Sequence, residues 1–350
     1  MYEKKKKKCF YKHIDFGKQS LIVFSRQKTH PITGFTLKEI DERIDFDFLD
    51  ALAPKQKLRG RKQLSFKGKC KALLAMPCLR IPSVNELVRR LSTDKTLREF
   101  CGFVKGKTPK KQTFSDFMID LPKVKKKKIF SEFNNQLLKV EYVETDTVAV
   151  DGCTYRTVNK RPDAQKIEKR NNETGRMKHV HGIKQLAAVS TKTMVCTGFT
   201  TDFVGRHDTI YYNDVLDETK DNGYDFEYSL ADKGFDSTQL RFDTLIRYGA
   251  RAIIPKREYK SKKKNQKNYR QRRRNLSQFI DKNEDLKYDE RTAVERYFAK
   301  LENVLGLSKL KTRNDNASET MLAFTICFDT ICRTTHLYKT LETAHIPFAQ

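Results

Sequence analysis

Hydrophobic residues recur every three or four positions through the first third of the chain and again near its end. This spacing predicts amphipathic helices, because it places the apolar side chains along one helix face. Ser83 followed by Glu86 has the pattern of a capping box, which marks the start of a helix. The predicted helical segments are Thr36–Leu52, Cys70–Leu79, Ser83–Ser92, Asp94–Phe100, Thr108–Met118 and Ser318–Leu337.

The middle of the chain, from Glu141 onward, changes to short runs of β-branched and small apolar residues. Such runs predict strands, and the short turn Ser190–Thr193 is compatible with a hairpin. Helical patterns over Asp208–Leu216 and Ser237–Tyr248 separate the later runs. The predicted strands are Thr147–Val150, Gly182–Ser190, Met194–Thr201, Tyr228–Ala231 and Ala250–Pro255. The alternation predicts an α/β domain with a mixed sheet.

A further helical stretch, Tyr288–Glu302, combines an apolar stripe with charged residues. Val294, Phe298 and Leu301 form the stripe, and Arg291, Glu295 and Glu302 fall along a neighbouring face. Taken alone, Arg291 and Glu295 predict no more than a surface ion pair between successive helical turns.

The charge balance is strongly basic, with 71 Lys+Arg against 44 Asp+Glu and a formal net charge of +27. A field of this sign attracts polyanions, and nucleic acid is the expected partner rather than an anionic membrane surface. We expect no membrane span, because no run of about 20 apolar residues is present. The lysine-rich N-terminus is not a secretory signal. The eight cysteines form no CxxC pair, which argues against zinc and disulfides and favours the cytoplasm.

The basic residues are concentrated in three parts of the sequence outside the strands. The first 35 residues include Lys4–Lys8 and predict a basic tail, and Lys123 with Lys125–Lys128 resembles a solvated linker. Lys256–Arg274 holds 11 Lys+Arg in 19 residues. It cannot pack in a core, so we expect it to grip phosphate. Its candidate DNA contacts are Lys256, Arg257, Arg272 and Arg273.

The N-terminal helices carry Lys and Arg on their polar sides. Short helices of this kind are compatible with a DNA reader of the helix-turn-helix type. A helical bundle that only caps the next domain is the alternative.

Three acidic residues stand at positions suited to phosphodiester chemistry. Asp151 and Asp232 each end a predicted strand, and Glu295 lies on the later helix. Carboxylates at the ends of buried strands are unfavourable unless they are paired or bind a cation. Together they would provide oxygen ligands for Mg²⁺ or Mn²⁺. Two such ions can clamp the attacking and leaving oxygens of a phosphoryl transfer.

Other polar residues compete with this assignment. Asp146 precedes the first strand instead of ending it, and Asp236 lies beyond the Gly-Phe turn, near a helix start. The pair His179 and His181 fits a surface role better than a ligand role. His207-Asp208 fits the start of a helix better than an acid/base pair.

The motifs Asp151-Gly152, Ala231-Asp232-Lys-Gly-Phe235 and Tyr288-x2-Arg291-x3-Glu295 together resemble the DDE transposases of insertion sequences. The order of elements is similar to the ribonuclease H-like fold of those enzymes, Gly249–Pro255 resembles the strand after their second Asp, and the N-terminal helices resemble their helical domain. The likeness spans most of Phe66–Lys311.

This resemblance implies a metal-dependent enzyme that cleaves element ends and transfers the strand into target DNA. Asp151, Asp232 and Glu295 would be catalytic residues that hold two Mg²⁺ or Mn²⁺ ions, and Tyr288 and Arg291 would contact DNA. The expected partners are double-stranded terminal inverted repeats, target DNA and a second copy of the chain. The expected location is the cytoplasm of a prokaryotic cell, on the nucleoid. One departure is Glu302, which stands where the family has a lysine.

The expected organisation is a basic tail over residues 1–35, a helical DNA-binding domain over 36–135, a ribonuclease H-like catalytic domain over 141–337 with a basic loop over 256–287, and a C-terminal tail over 338–350. Two alternatives remain at this point. One is an inactive or repurposed DNA-binding protein, and the other is a metal-dependent nuclease on the same fold.

Overall fold

The computed structural model describes residues 35–54, 64–140, 143–158, 166–170, 177–203, 206–256, 287–307, 309–312 and 314–343. Its first half is helical, as the hydrophobic spacing predicts. The helices are α1 (Leu37–Arg43), α2 (Phe48–Ala51), α3 (Phe66–Cys78), α4 (Val84–Thr93), α5 (Lys95–Cys101), α6 (Lys111–Asp120) and α7 (Lys123–Val140). The single helix predicted over Thr36–Leu52 is wrong, since Ile44–Asp47 separates α1 from α2.

Local sequence signals explain several helix ends. Thr36 and Glu39 form a complete capping box at α1, and the Asp94 side chain accepts the Leu97 amide at the start of α5. Gly102 ends α5 with φ 68°, a left-handed conformation that glycine adopts without strain. The box predicted at α4 is only half formed. Ser83 accepts the Glu86 amide, while the Glu86 carboxylate binds arginines of its own helix.

The second half contains a mixed sheet that adjoins further helices. The strands are β1 (Thr147–Thr157), β2 (Lys166–Arg170), β3 (Met177–Ser190), β4 (Cys196–Phe203), β5 (Tyr228–Ala231), β6 (Arg251–Ile253) and β7 (Lys309–Leu310). The helices are α8 (Tyr212–Asp221), α9 (Thr238–Tyr248), α10 (Thr292–Asn303) and α11 (Asp315–Thr343). Short 3₁₀ turns precede α8, α9 and α10.

The central strands lie in the order β4-β3-β1-β5-β6, with β3 antiparallel to β1 and to β4. The strands β1, β5 and β6 are parallel, β2 pairs with the first part of β3, and β7 pairs with the end of β1. An antiparallel hairpin followed by parallel crossover strands is the ribonuclease H-like arrangement. The predicted fold class is confirmed.

One loop prediction is wrong. The segment Arg156–Arg176, whose basic and glycine-poor composition predicts a loop between the first two strands, contains the end of β1 and all of β2. β2 is rich in charged residues and has no apolar alternation, so its sequence does not indicate a strand; its backbone pairing with β3 makes it one.

Helices cover both faces of the sheet, so alternate residues of β1 enter different cores. Val148 and Val150 pack in a cluster with Tyr212 and Leu216 of α8. Ala149 belongs to a larger cluster with residues of α10 and α11, such as Phe298. Because β1 is covered on both faces, its first residues form the continuous apolar run expected of a central strand.

The larger cluster also includes buried residues of the N-terminal helices. Its members are connected in space and range in the sequence from Phe35 to Cys332. α11 forms the shared wall, because α3, α6 and α7 all contact it. The predicted C-terminal helix is therefore confirmed as structural. It continues to Thr343, so residues 338–343, predicted as part of a tail, are helical.

The lysine run at Lys123–Lys128, predicted to be a solvated linker, forms the first turns of α7. Lys126 is only 3% exposed, and its ammonium group binds Glu319 at 3.1 Å and also Asn316. The apolar residues that follow, such as Phe130, bury one face of the helix. The lysine stems follow this face inward, where carboxylates and carbonyls satisfy the ammonium groups. In the described part of the chain, no helix combines the length and the apolarity that a membrane span requires.

Candidate active site

The parallel pairing of β1 with β5 brings Asp151 and Asp232 to the same edge of the sheet. The last paired residues are Val150 of β1 and Ala231 of β5. Asp151 and Asp232 each come one residue later, so they stand side by side where this pairing stops. Asp232 follows the end of β5, as predicted, whereas β1 continues past Asp151 to Thr157, so the prediction that Asp151 ends its strand is wrong. In open α/β sheets this edge is where ligands bind.

Asp232 occupies a tight turn built by the residues that follow it. Its side chain accepts the Gly234 amide at 2.7 Å and opens a 3₁₀ turn over Lys233–Phe235. A Cβ at Gly234 would stand 2.7 Å from the Asp232 carboxylate, so a larger residue there would displace this carboxylate. Phe235 anchors the turn in the core, with its ring against Tyr212. The Asp-Lys-Gly-Phe motif therefore sets the position of this carboxylate.

Arg291 connects the sheet to α10. Its Nη1 atom lies 3.1 Å from Oδ2 of Asp151, and its Nη2 atom lies 2.6 Å from Oε1 of Glu295. The guanidinium group also lies 5.8 Å from the centre of the Tyr288 ring. The interpretation of Arg291 and Glu295 as a simple surface pair is therefore incomplete, because the same arginine holds a carboxylate on a strand 140 residues away.

The electrostatics of Asp151 reflect this crowding. The pKa of Asp151 is raised to about 6, chiefly by burial, and the nearby charges of Asp232 and Glu295 contribute to the increase. The Gly152 amide and Arg291 act in the opposite direction and lower this pKa. Burial likewise raises the pKa of Tyr288, with the charge of Asp232 adding to the effect. The charges of Asp232 and Glu295 on neighbouring elements therefore change the pKa of Asp151, as expected for groups of one site.

The donor set fits a hard divalent cation, since Asp151, Asp232 and Glu295 offer only carboxylate oxygens. As the side chains stand, no three acidic, histidine or cysteine groups within the described ranges are close enough together to hold a metal. Arg291 lies between two of the three carboxylates and already neutralises them. Binding of one cation by both Asp151 and Glu295 therefore requires Arg291 to release them.

Sequence reasoning missed a support behind Asp151. A Cβ at Gly152 would meet the Asp208 carboxylate at 3.0 Å, so this carboxylate packs directly on the glycine backbone. Lys184 on β3 holds Asp208 at 2.8 Å. The Asp-Gly dipeptide within β1 is the one sequence signal for this close approach, because a glycine in a strand often marks it.

The competing residues lie elsewhere or are engaged in other bonds. Asp146 is at the opposite end of β1, half exposed near Lys192. Asp236 forms a buried ion pair with Arg241 at 2.8 Å, beside the start of α9. His207 accepts the Thr209 amide and so opens a 3₁₀ turn, as predicted.

Strand β3 contains His179 and His181, and their backbones pair with β2. Their side chains lie outside the described part, so the expectation of a surface role for them stays a prediction.

Glu302, at the position of the family lysine, faces the sheet. Its Oε1 atom accepts the Cys153 thiol of β1 at 3.5 Å. Lys300, two residues earlier in the sequence, binds Asp329 of α11 on another side of α10.

Among the other predicted DNA contacts, Lys256 directly follows the β6 region and is partly buried. Arg257, Arg272 and Arg273 lie outside the described residues, as does most of the basic loop 256–287.

Comparison with known proteins agrees with this geometry. The family described as "Transposase DDE domain" matches residues 143–328, more than half of the chain. A second family, "Transposase domain (DUF772)", matches residues 24–119. No curated protein matches the sequence significantly.

Some solved structures share the general arrangement at low identity. The chain is similar to a piggyBac transposase in a synaptic complex with hairpin DNA, at 11% identity and a TM-score of 0.42, over 90% of this chain and 74% of that chain. It is also similar to the Drosophila P element transposase in a strand transfer complex, at 10% identity and a TM-score of 0.31, over 83% of each chain. The likeness to the Mos1 transposase in a paired-end complex has a TM-score of 0.21 at 12% identity, over 73% of this chain and 82% of that chain.

Proposed function

Because the chain belongs to the family of transposase DDE domains, it is a transposase, and we propose that it cleaves the ends of its element and joins the freed strand to target DNA. Asp151, Asp232 and Glu295 are the proposed catalytic carboxylates. The observation that carries this assignment is the double ion pair of Arg291, which joins Asp151 to Glu295 beside the turn of Asp232.

Each group has a distinct task in the proposed site. Asp151 and Asp232, fixed on adjacent parallel strands, provide rigid oxygen ligands. Glu295 approaches from α10, and its more exposed carboxylate can adjust. Arg291 exchanges its carboxylate partners for a phosphate oxygen when DNA arrives, since a guanidinium binds both groups with the same fork geometry. Tyr288 holds the arginine from the side.

The three carboxylates are proposed to hold two Mg²⁺ or Mn²⁺ ions, Asp151 sharing both, with Asp232 and Glu295 holding one each. Divalent ions at such a site supply a lowered pKa for water and neutralise charge on the phosphoryl oxygens. The protein contributes the fixed spacing of the ligands and the burial of Asp151. Family membership supports the use of divalent ions.

The proposed substrate is double-stranded DNA, both the element's terminal repeats and the target. The net charge of +27 supports this choice, since a basic surface draws in the phosphate backbone. We further propose that the helical domain over 36–135 and the basic loop over 256–287 contact DNA, that Lys256, Arg257, Arg272 and Arg273 grip phosphate, and that two copies act together to join two ends. The proposed location is the nucleoid of a prokaryotic cell.

The proposal is tested by incubating the protein and Mn²⁺ with a labelled duplex that carries the ends flanking its gene. Asp232→Asn is the test variant and Asp146→Asn is the matched control, because Asp146 lies at the other end of β1. We expect nicking and joining by the wild type and the control, and loss of both by Asp232→Asn. The joining step depends on the same carboxylates as cleavage, so one substitution removes both.

Each other outcome has a defined meaning. Cleavage without strand joining would identify a nuclease on this fold. Tight binding without cleavage by any protein would identify a DNA-binding relic. Equal cleavage by wild type and Asp232→Asn would show that the active site lies elsewhere.

A further inference from the structure

A broad groove separates the N-terminal helices from the end of α10 and the start of α11. Its volume is about 780 Å³. One wall comes from the segment Met76–Asn85 and from α6, and the other from Asn303–Leu307, Leu310–Thr312 and the first turns of α11. The groove is therefore built by both halves of the chain.

The groove floor is apolar and the rim is cationic. Partly exposed apolar side chains such as Val84, Ile119, Val304 and Met321 line it above the buried Met76. Methionine surfaces adapt to flat apolar partners of varied shape. No described residue that lines the groove is aromatic, so nucleobases would meet this floor by apolar contact and not by ring stacking.

Arg80, Lys111 and Lys311 supply the charge on the rim. All three are exposed, and none forms an ion pair with a described residue. No Asp or Glu occurs among the described residues that line the groove. This differs from α7, where Lys126 and Lys127 bind internal carboxylates. The groove cations are therefore available to an external anion.

The backbone at Arg80 provides a second observation. Arg80 has φ 50°, a left-handed conformation that is uncommon for any residue other than glycine. The surrounding turn imposes it, because the Ile81 amide binds the Met76 carbonyl at 2.9 Å. This conformation and this hydrogen bond are those of a helix C-terminal cap, so they end α3. Here the cap places an arginine on the rim of the groove.

We propose that this groove binds an unpaired DNA strand, with phosphates on Arg80, Lys111 and Lys311 and bases on the apolar floor. Duplex DNA keeps its base faces stacked inside, so it cannot use such a floor, whereas a single strand can. The identification of the anion as DNA rests on the proposed function. Glu295 and Asn303 lie at the two ends of α10, about 12 Å apart at 1.5 Å per residue. One strand can therefore reach from the carboxylates into the groove.

The test measures binding of labelled single-stranded and duplex oligonucleotides by fluorescence anisotropy over a range of salt. The test protein carries Arg80→Gln, Lys111→Gln and Lys311→Gln. The control carries Lys139→Gln, Lys192→Gln and Lys339→Gln, three exposed lysines outside the groove and outside both segments proposed to contact DNA. We expect the groove variant to bind the single strand at least about tenfold more weakly. Its salt slope should fall by about 2, as three lost phosphate contacts predict. The control should stay within about twofold of the wild type.

A second variant and a crosslink test the position of the bases. Ile119→Asp adds an acid at an exposed position of the groove, where folding tolerates it, and should also weaken single-strand binding. Photocrosslinking of an oligonucleotide that contains 4-thiothymidine should label peptides from residues 76–85, 111–119 or 303–312. Unchanged single-strand binding in both variants, or crosslinks confined to other peptides, would overturn the proposal.

Cleavage of element ends by the wild type is assayed in parallel. If the wild type cleaves element ends and the groove variant binds the single strand as tightly as the wild type does, the groove proposal is refuted and the proposed transposase reaction stands. If the wild type does not cleave element ends but the groove variant binds the single strand more weakly, the proposed reaction is refuted and the groove proposal stands.

Discussion

At the scale of single residues, Arg291 controls how the site manages negative charge. Its two ion pairs, to Asp151 and Glu295, neutralise carboxylates that otherwise repel one another. The guanidinium therefore acts as an internal cation. Divalent ions must displace it from the carboxylates, and a phosphate group must recruit it as a binding partner.

We expect Arg291→Gln to separate metal binding from catalysis. The variant should bind Mn²⁺ more tightly without DNA, because the competing cation is gone. It should cleave element ends at least about tenfold more slowly, since the proposed phosphate contact is lost. Isothermal titration calorimetry and the cleavage assay measure the two effects, with Arg291→Lys as the charge-conserving comparison. A fall in Mn²⁺ affinity of the Gln variant would contradict this role.

Gly152 offers a test of the support behind Asp151. Ala at this position places a methyl group 3.0 Å from the Asp208 carboxylate, which Lys184 restrains. We expect Gly152→Ala to lower the free energy of unfolding by about 1–3 kcal/mol, the usual cost of overpacking. In an Asp208→Ala background the same change should cost clearly less, because the opposing group is missing. Urea denaturation of the four proteins in this cycle gives the coupling, and equal costs in both backgrounds would exclude the contact.

At the scale of elements, α7 is where composition and structure disagree most. Its lysines predict a solvated linker, yet they bind groups on other elements, such as the Thr201 carbonyl and the Glu218 carboxylate. These partners are distant in sequence, so no local pattern reveals them. The apolar periodicity of α3 to α6 and the β-branched run at Thr147–Val150 need no such partners, and both predictions are confirmed.

In the candidate site, too, some features are predictable from the sequence and others depend on the folded structure. Asp151 and Asp232 are predictable as neighbours because each follows a buried apolar run, and the parallel pairing of β1 with β5 stops just before both of them. The continuation of β1 past Asp151 to Thr157 is not evident from that run. The bond from Arg291 to Asp151 and the packing of Asp208 on Gly152 depend on the folded arrangement. Sequence spacing on α10 shows only the local half of the Arg291 network.

Glu218 predicts a pH dependence for the contact between α7 and α8. Burial raises the pKa of Glu218 from 4.5 to about 7, against the opposing effect of Lys127. The folded chain therefore holds more protons than the unfolded chain between these pH values, so stability falls as pH rises through this window. Glu218→Gln cannot titrate. Its melting temperature relative to the wild type should rise by a few degrees between pH 5 and pH 8. Differential scanning fluorimetry measures this, with exposed Glu99→Gln as a control, and a constant difference would contradict the prediction.

At the scale of the whole molecule, one hydrophobic cluster joins the N-terminal helices, one face of the sheet and α11. The boundary predicted between 135 and 141 therefore divides the sequence without dividing this core. Lys126 and its partners on α11 strengthen the contact.

We expect the full chain to unfold in one cooperative transition, with equal calorimetric and van't Hoff enthalpies. A fragment of residues 141–350 should lack fixed tertiary structure, because α11 loses the helices that cover it. Near-ultraviolet circular dichroism and limited proteolysis would show this. Two separate transitions, or a well-folded fragment, would establish independent domains.

The position of α11 in the sequence also determines when the hydrophobic core can close during translation. The N-terminal helices leave the ribosome early, but the wall that completes their core is the last long helix of the chain. About 200 residues separate α7 from the end of α11, which corresponds to about 10–40 s at ordinary rates of translation. During this interval the nascent chain exposes apolar helix faces, including Phe114 and Phe130, that are buried once folding is complete. A delay of this length makes the growing chain a client for holding chaperones, and release before α11 is made leaves a product that cannot close its core.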